Sequence, residues 1–389
     1  MTYQSWGFTV DSTPQGQRVR QILNDAVRLG FKSVVFNFRG HMITGTGSEI
    51  RSTVLPIHQE TEERLLLETT QYAKSLGLDV AFRPILLVVG PRGEFPYTER
   101  GVYWWHGNIK PKNIATWFEN YYKFHERYLR IAAKAGAEWY SIGAEMHSMT
   151  SGFGDRDSRW KRGFPAQWVD LITKARSIVG TATKITYGVN YTDQYIIAKG
   201  QRILGGELEQ WRYYLTENFR KQEDIVHQKT LQQLWSALDV IGIDYYRAFA
   251  SPRDSFPNDF VRLARQIEAR PKSHADQLDN LLTEVALTLG FEKPVYFQEA
   301  GYRSVEKCFL SPASYEDRGG KESILHQAVA WEVFFRAYWV PQWPWMSGVA
   351  VWQVLVDEDA TTPPGKGFTP FGKSLTEAVF HNYLKLPQP

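Results

Sequence analysis

Apolar residues along this chain recur in two alternating rhythms. Short runs rich in β-branched and aromatic residues, such as Ser33-Val-Val-Phe-Asn-Phe38, are each followed by a longer segment with apolar positions at helical spacing. In residues 17–29, Val19, Ile22, Leu23, Ala26 and Val27 fall on one helical face, and Gly30 is placed to end that helix. The pattern predicts strands over residues 3–10, 33–38, 79–88, 138–143, 184–189, 239–244, 294–297 and 347–352. It predicts helices over 17–29, 60–76, 114–135, 166–179, a region containing 231–238, 275–289, 323–338 and 375–384. Eight strands, each followed by a helix, predict an α/β fold: one (β/α)₈ TIM barrel spanning residues 1–389. No Gly/Ser-rich or Pro-rich linker divides the chain, and residues 89–112, rich in Gly, Pro and aromatics, read as an enlarged βα loop.

Composition then removes several kinds of chemistry. The 45 basic and 42 acidic residues give a net charge of +3 with the signs interspersed, too weak a field for a nucleic-acid surface. A single cysteine, Cys308, excludes an intrachain disulfide and a multi-cysteine zinc site. His106, His125 and His147 lack metal-ligand spacing, and no glycine-rich phosphate loop follows a strand, so no metal and no cofactor is expected. The longest apolar stretch, residues 80–89, is interrupted by Arg83 and Pro84, so no membrane span is expected. The N-terminal residues show neither a basic nor an apolar leader region, which leaves a cytoplasmic protein or a secreted one without its leader. A monomer is expected. What remains conspicuous is the 14% of aromatic residues, which serves either a large core or surfaces that stack on flat apolar ligand faces.

The barrel sorts the carboxylates. Catalytic groups in such barrels sit at the C-terminal ends of the strands and in the βα loops, while the opposite rim serves stability. Glu138, Asp239 and Glu292 precede their strands and fall on the stability rim. Glu145 follows the fourth strand, Asp244 closes the sixth and Glu299 follows the seventh. Two carboxylates facing each other across a cleft are what glycoside hydrolysis needs: one protonates the departing oxygen, the other attacks the anomeric carbon or activates a water. The alternative is that either Glu is structural, for example paired with Arg303.

The segment Phe297-Gln-Glu-Ala-Gly-Tyr-Arg-Ser304 resembles glycoside hydrolase family 113, within the clan of retaining (β/α)₈ glycosidases. Trp139-Tyr-Ser-Ile-Gly-Ala-Glu145, Trp168-Val-Asp-Leu-Ile172, Ile185-Thr-Tyr-Gly-Val-Asn190, the stretch 235–245 and Gly348-Val-Ala-Val-Trp352 agree in order and spacing. The resemblance implies an endo-β-1,4-mannanase-like enzyme acting on a β-linked oligo- or polysaccharide, with Glu145 as acid/base and Glu299 as nucleophile. Two departures stand out. Ala144 occupies the place where many clan members have Asn, and Gln298 and Ala300 flank the nucleophile position atypically. A glycosidase of another gluco- or amino-sugar polymer, or a barrel that binds glycan without cleaving it, are the alternatives.

The remaining candidates for substrate binding follow from position. Trp352, at the end of the eighth strand, is the candidate sugar platform, with core packing as its alternative. Of Tyr245 and Tyr246, one faces the site; alternation leaves open which. Asn190 and Arg83 are placed to donate to sugar hydroxyls or to Glu299, and Arg83 is equally read as a structural ion pair. Trp104, Trp105 and His106 in the long loop wall distal sugar sites or form a lid packed on itself, and His147 joins the candidate set. Trp6 is read as core, and Tyr191 as part of the aromatic rim.

Overall fold

The computed structural model describes residues 2–4, 8–52, 59–95, 97–154, 157, 160–314, 320–356 and 365–385. Eight parallel strands run in chain order: β1 (Thr2–Gln4), β2 (Ser33–Met42), β3 (Asp79–Val88), β4 (Trp139–Ala144), β5 (Lys184–Thr192), β6 (Val240–Tyr246), β7 (Val295–Ala300) and β8 (Met346–Val351). Each pairs with its neighbour, from Thr2↔Val35 through Ser33↔Asp79, Ala81↔Trp139 and Val240↔Thr186 to Val295↔Met346. The short β9 (Val354–Leu355) continues the eighth strand past Trp352 and Gln353 and pairs with β1 through Tyr3↔Val354, which closes the (β/α)₈ barrel.

Helices α1 (Pro14–Leu29), α2 (Gln59–Ser75), α3 (Ile114–Ala135), the single-turn α4 (His147–Thr150), α5 (Pro165–Val179), α6 (Gly206–Thr216), α7 (Gln222–Ala237), α8 (Phe260–Ile267), α9 (Ala269–Leu289), α10 (Ile324–Tyr338) and α11 (Ser374–Leu384) follow the strands. α1 begins three residues earlier than the apolar spacing alone predicts, because Pro14 suits a first helical turn and the Thr13 hydroxyl accepts from Gly16 N–H at 3.2 Å. Val19, Ile22, Leu23 and Ala26 are buried as expected, but Val27 is exposed. The first strand is described over Thr2–Gln4; Phe8 and Val10, also expected in it, are buried outside any strand, and Trp6 lies outside the described residues.

Among the described residues, three helices have no counterpart in the sequence pattern: the single-turn α4, α6 and α8. In α6, Leu208, Trp211, Tyr214 and Leu215 are buried at helical spacing, but Glu207, Glu209 and Gln210 are buried among them, so its inward face mixes apolar and polar side chains. The enlarged third loop contains an antiparallel hairpin, Tyr97–Glu99 with Val102–Trp104, and a 3₁₀ turn at His106–Asn108. A second hairpin, Tyr195–Ala198 with Gln201–Leu204, follows β5. Among the described residues, no helix is long and apolar enough to cross a membrane, and no cluster of His, Cys, Asp and Glu could hold a metal.

Much of the aromatic content lies between strands and helices. Trp168 of α5 is fully buried, meets Phe118, Tyr121 and Tyr187 edge-on at 5.8, 5.6 and 5.3 Å, and donates its indole N–H to Met149 O at 3.0 Å. Tyr187 in turn stacks on Trp211 of α6 at 5.5 Å. This layer holds β4 and β5 against α3, α5 and α6. Trp168→Ala is therefore expected to lower the free energy of unfolding by about 3–5 kcal/mol, read as a drop in the urea midpoint. A midpoint equal to the unsubstituted protein's would show that this layer does not carry the load assigned to it.

Candidate active site

Arg83 of β3 points into the barrel and has no accessible surface. Its Nη2 donates to Asp244 Oδ2 at 2.9 Å and its Nε to Gln298 Oε1 at 3.1 Å, while Nη1 lies 2.6 Å from Glu299 Oε1 as an ion pair. Gln298 Oε1 also accepts from Ser141 Oγ at 2.9 Å, and its Nε2 donates to Thr186 Oγ1 at 2.8 Å. Room for this polar layer comes from two strand glycines. A Cβ on Gly188 would stand 2.6 Å from Asp244 Oδ2, and one on Gly242 would stand 2.2 Å from Gln298 Nε2.

A shift in strand register explains how two consecutive residues reach one guanidinium. Ile243 pairs with Phe297 and Asp244 with Glu299, so Gln298 is the extra residue of a bulge. Phe297 points outward onto Phe334 and Tyr338 of α10, at 5.7 and 4.9 Å, while Gln298 and Glu299 both turn inward. On β6 the alternation is regular: Asp244 and Tyr246 face in, and Tyr245 faces out. Tyr246 donates its hydroxyl to Glu299 Oε2 at 2.6 Å, so each oxygen of Glu299 has its own donor-bearing partner.

The electrostatics follow from burial. Burial pushes the Asp244 carboxyl well above the usual range; Arg83 opposes this, and the charge of Glu299 adds to it. Burial also raises Glu299, and the nearby Glu145 adds to the rise, while Arg83 and Tyr246 hold it down. Although burial disfavours the charge on Arg83, Asp244 and Glu299 keep it firmly protonated.

Glu145, directly after β4, adopts φ 49°, the left-handed region that few non-glycine residues occupy. Its backbone N–H donates to Gly188 O at 2.7 Å, and the next amide, Met146 N–H, donates to Tyr187 Oη at 2.6 Å. The carboxyl is held on both sides. Asn190 Nδ2 donates to Oε1 at 2.5 Å, and His106 Nε2 lies 3.3 Å from Oε2. Glu145, His106 and Glu299 keep 14%, 15% and 9% of their side-chain surface open, whereas Arg83 and Asp244 keep none. The solvent-reaching end of the site is thus the two glutamates and the histidine.

Trp352 joins Ile85, Tyr246 and Phe368, with Leu87 beside them, in a small apolar cluster separate from the main core, and Arg83 Cζ lies 5.7 Å from its ring centre. Trp105 is half-buried and meets His106 edge-on at 5.0 Å. Four expectations need correction. Tyr245 is fully buried behind the barrel, with its hydroxyl 3.0 Å from His274 Nδ1 and its ring against Phe334 and Tyr338, so no sugar reaches it. Tyr191 packs on the same outer side and donates to His274 O at 3.2 Å. Trp104 belongs to the main core, its ring so close over Gly45 that a Cβ there would stand 2.0 Å away. His147 is buried in α4 against Phe153. Arg83 reaches Glu299 as one reading had it, but its complete burial leaves no N–H for a sugar hydroxyl.

The residue that sequence reasoning missed is Glu207, in the first turn of α6. It is fully buried, accepts from Tyr187 Oη at 3.0 Å, Thr150 Oγ1 and Asn190 N–H at 3.4 Å, and so braces two residues that hold the Glu145 segment. Burial lifts its carboxyl from an ordinary 4.5 to about 7, against the three hydrogen bonds. Between those values the unfolded chain has lost the proton that the folded chain keeps, so stability falls as pH rises through that window. The loss from this group amounts to about 3 kcal/mol across the window. E207Q is expected to flatten the stability curve between pH 4.5 and 7 relative to the unsubstituted protein, in urea titrations at a series of pH values. Parallel curves would refute this assignment.

Comparison with known proteins bears on what the site belongs to. Among curated proteins, none matches this sequence. Among solved structures, a GH113 β-mannanase from Alicyclobacillus acidocaldarius, in complex with ManMIm, superimposes with a TM-score of 0.63 at 18% identity, covering 99% of this chain and 96% of that one. A GH113 β-1,4-mannanase solved as a complex gives a TM-score of 0.60 at 20% identity, covering 100% and 98%. At these identities the likeness speaks for the fold. The sequence profile of Glycoside Hydrolase Family 113 matches residues 4–192 and 214–373. Since that match spans most of the chain and takes in the ends of both β4 and β7, the chain belongs to Glycoside Hydrolase Family 113.

Proposed function

We propose that this glycoside hydrolase cleaves β-1,4-linked mannan with retention of anomeric configuration, using Glu299 as nucleophile and Glu145 as acid/base. The observation that carries the reading is the contrast between the two partly open carboxyls. Glu299 is met by a guanidinium at one oxygen and a phenol at the other, the donor set of a carboxylate. Glu145 has an amide donor at one oxygen and, at the other, an imidazole nitrogen able to accept a proton. Two carboxyls with opposite surroundings divide the roles that double displacement needs. The mannan substrate is supported by the two mannanases named above, which share the fold.

In the first half-reaction a Glu299 oxygen forms a bond to the anomeric carbon as the glycosidic C–O bond breaks, and Glu145 passes its proton to the departing oxygen. In the second, Glu145 takes a proton from water while the water oxygen displaces Glu299 from that carbon. Asp244 holds the far side of Arg83, which keeps one guanidinium edge for Glu299. Burial disfavours the charged form of both carboxyls that share Arg83, while Arg83 and the Tyr246 hydroxyl favour the charge on Glu299. Trp352 lies beside the reacting centre as the sugar platform.

Three expected outcomes test this reading. E299A and E145A should each cut reducing-sugar release from β-1,4-mannan by about three orders of magnitude, roughly 4 kcal/mol of barrier. Activity near that of the unsubstituted enzyme in either variant would remove its residue from the proposed role. Proton NMR during the first minutes of hydrolysis should show the β-anomer as first product, and an initial α-anomer would refute retention. Y246F should keep the fold and lower kcat/KM about 10- to 100-fold, since it removes a hydrogen bond to a charged group worth roughly 1.5–3 kcal/mol. An unchanged kcat/KM would mean that this phenol does not orient the nucleophile.

A further inference from the structure

We infer that His106 is the positioning residue that holds the acid proton on Glu145, and that the proton resides at Oε2. The inference rests on the reading of Glu145 as acid/base and adds how the proton is kept there. His106 Nδ1 lies 3.0 Å from Leu86 O at the end of β3. A carbonyl only accepts, so Nδ1 carries hydrogen, and the neutral ring presents a bare Nε2 toward Glu145 Oε2 at 3.3 Å.

The other oxygen is accounted for independently. Thr192 Oγ1 accepts from Gln194 N–H at 3.2 Å and gives its own hydrogen to Asn190 Oδ1 at 2.8 Å. That fixes the amide so that Nδ2, the donor end, faces Glu145 Oε1 at 2.5 Å. An oxygen that receives an N–H at that distance does not carry a proton of its own. The acid hydrogen therefore belongs to Oε2, where the imidazole nitrogen accepts it. If the ring takes the proton, the same contact becomes an imidazolium N–H donating to a carboxylate. In both forms one proton lies between the two groups, and removing it sets two lone pairs against each other.

The loop is built to hold the ring in place. Asn108 Oδ1 accepts from Trp105 N–H at 3.0 Å, and Asn108 Nδ2 donates to Tyr103 O at 2.8 Å, which ties the 3₁₀ turn into the hairpin. Gly107 lets the turn sit on the Glu145 backbone, since a Cβ there would stand 2.7 Å from Glu145 O. The other charged groups around Glu145 are Arg83, Glu299, Asp244 and Glu207. Among the described residues, none of these is hydrogen-bonded to Oε2, whose partner is His106.

The proton balance is simple. As the glycosidic bond breaks, the hydrogen at Oε2 passes to the departing oxygen, and the Glu145–His106 pair is left without a proton. The bare Oε2 then takes a hydrogen from the attacking water, which restores the pair. A residue that acts in this way matters in proportion to how much the leaving group needs a proton.

The test compares mannohexaose, whose leaving group must be protonated, with 2,4-dinitrophenyl β-mannobioside, whose leaving group departs as the anion. H106A is expected to lose about 10- to 100-fold in kcat/KM on mannohexaose and less than about 3-fold on the dinitrophenyl substrate. H106Q, which keeps an acceptor and the loop packing, should recover part of the mannohexaose rate. Equal losses on both substrates, in both variants, would mark His106 as merely structural and overturn the inference. Unchanged rates on both would overturn it as well. If the unsubstituted enzyme cleaves neither substrate, the mannanase reading itself falls, an outcome separate from either of these.

Discussion

A single buried cation organises this barrel. Arg83 is removed from water entirely, which costs several kcal/mol unless acceptors replace its hydration. The acceptors come from the far wall: Asp244 on β6, and Gln298 and Glu299 on β7. The arrangement constrains much else. Gly188 and Gly242 must lack side chains, β7 must bulge at Gln298, and Tyr246 must lie inward to complete the shell of Glu299. Asp244, which never reaches solvent, shares the guanidinium and so limits how much positive charge Glu299 receives.

Around Glu145 the constraint is conformational. A non-glycine residue at φ 49° persists only where its surroundings over-determine it. Here the backbone is pinned to β5 through Gly188 O and to Tyr187 Oη, and the side chain is gripped by Asn190 and His106. Glu207 stands behind the two β5 residues and couples α6 to the same segment. Hence α6, otherwise packed through Leu208, Trp211 and Leu215, takes part in the site through one buried carboxyl, Glu207.

How much of this was legible in the sequence varies with the kind of signal. The strand–helix rhythm, and with it the placement of Glu145, Asp244 and Glu299 at strand ends, follows from apolar periodicity and carries through to the structure. Tyr246 shows the limit. Alternation says that Tyr245 and Tyr246 differ, but the inward parity becomes known only once Asp244 is seen on Arg83. On β7 alternation misleads, because the bulge turns Gln298 and Glu299 to the same side. Trp104 and His147 carried the right chemistry at the right rim, yet packing against Gly45 and Phe153 took them out of reach.

The sequence by itself therefore determined the barrel and the rim on which its carboxylates gather, since both depend on local periodicity and chain order. Only the tertiary structure decided which carboxyl faces a guanidinium and which an imidazole. That choice is made by residues far apart in the chain: Arg83 meets Glu299, and His106 and Asn190 meet Glu145. No local pattern encodes such pairings. They arise when closing the sheet brings eight strand ends within hydrogen-bonding distance, where burial and partner chemistry decide the protonation of each group.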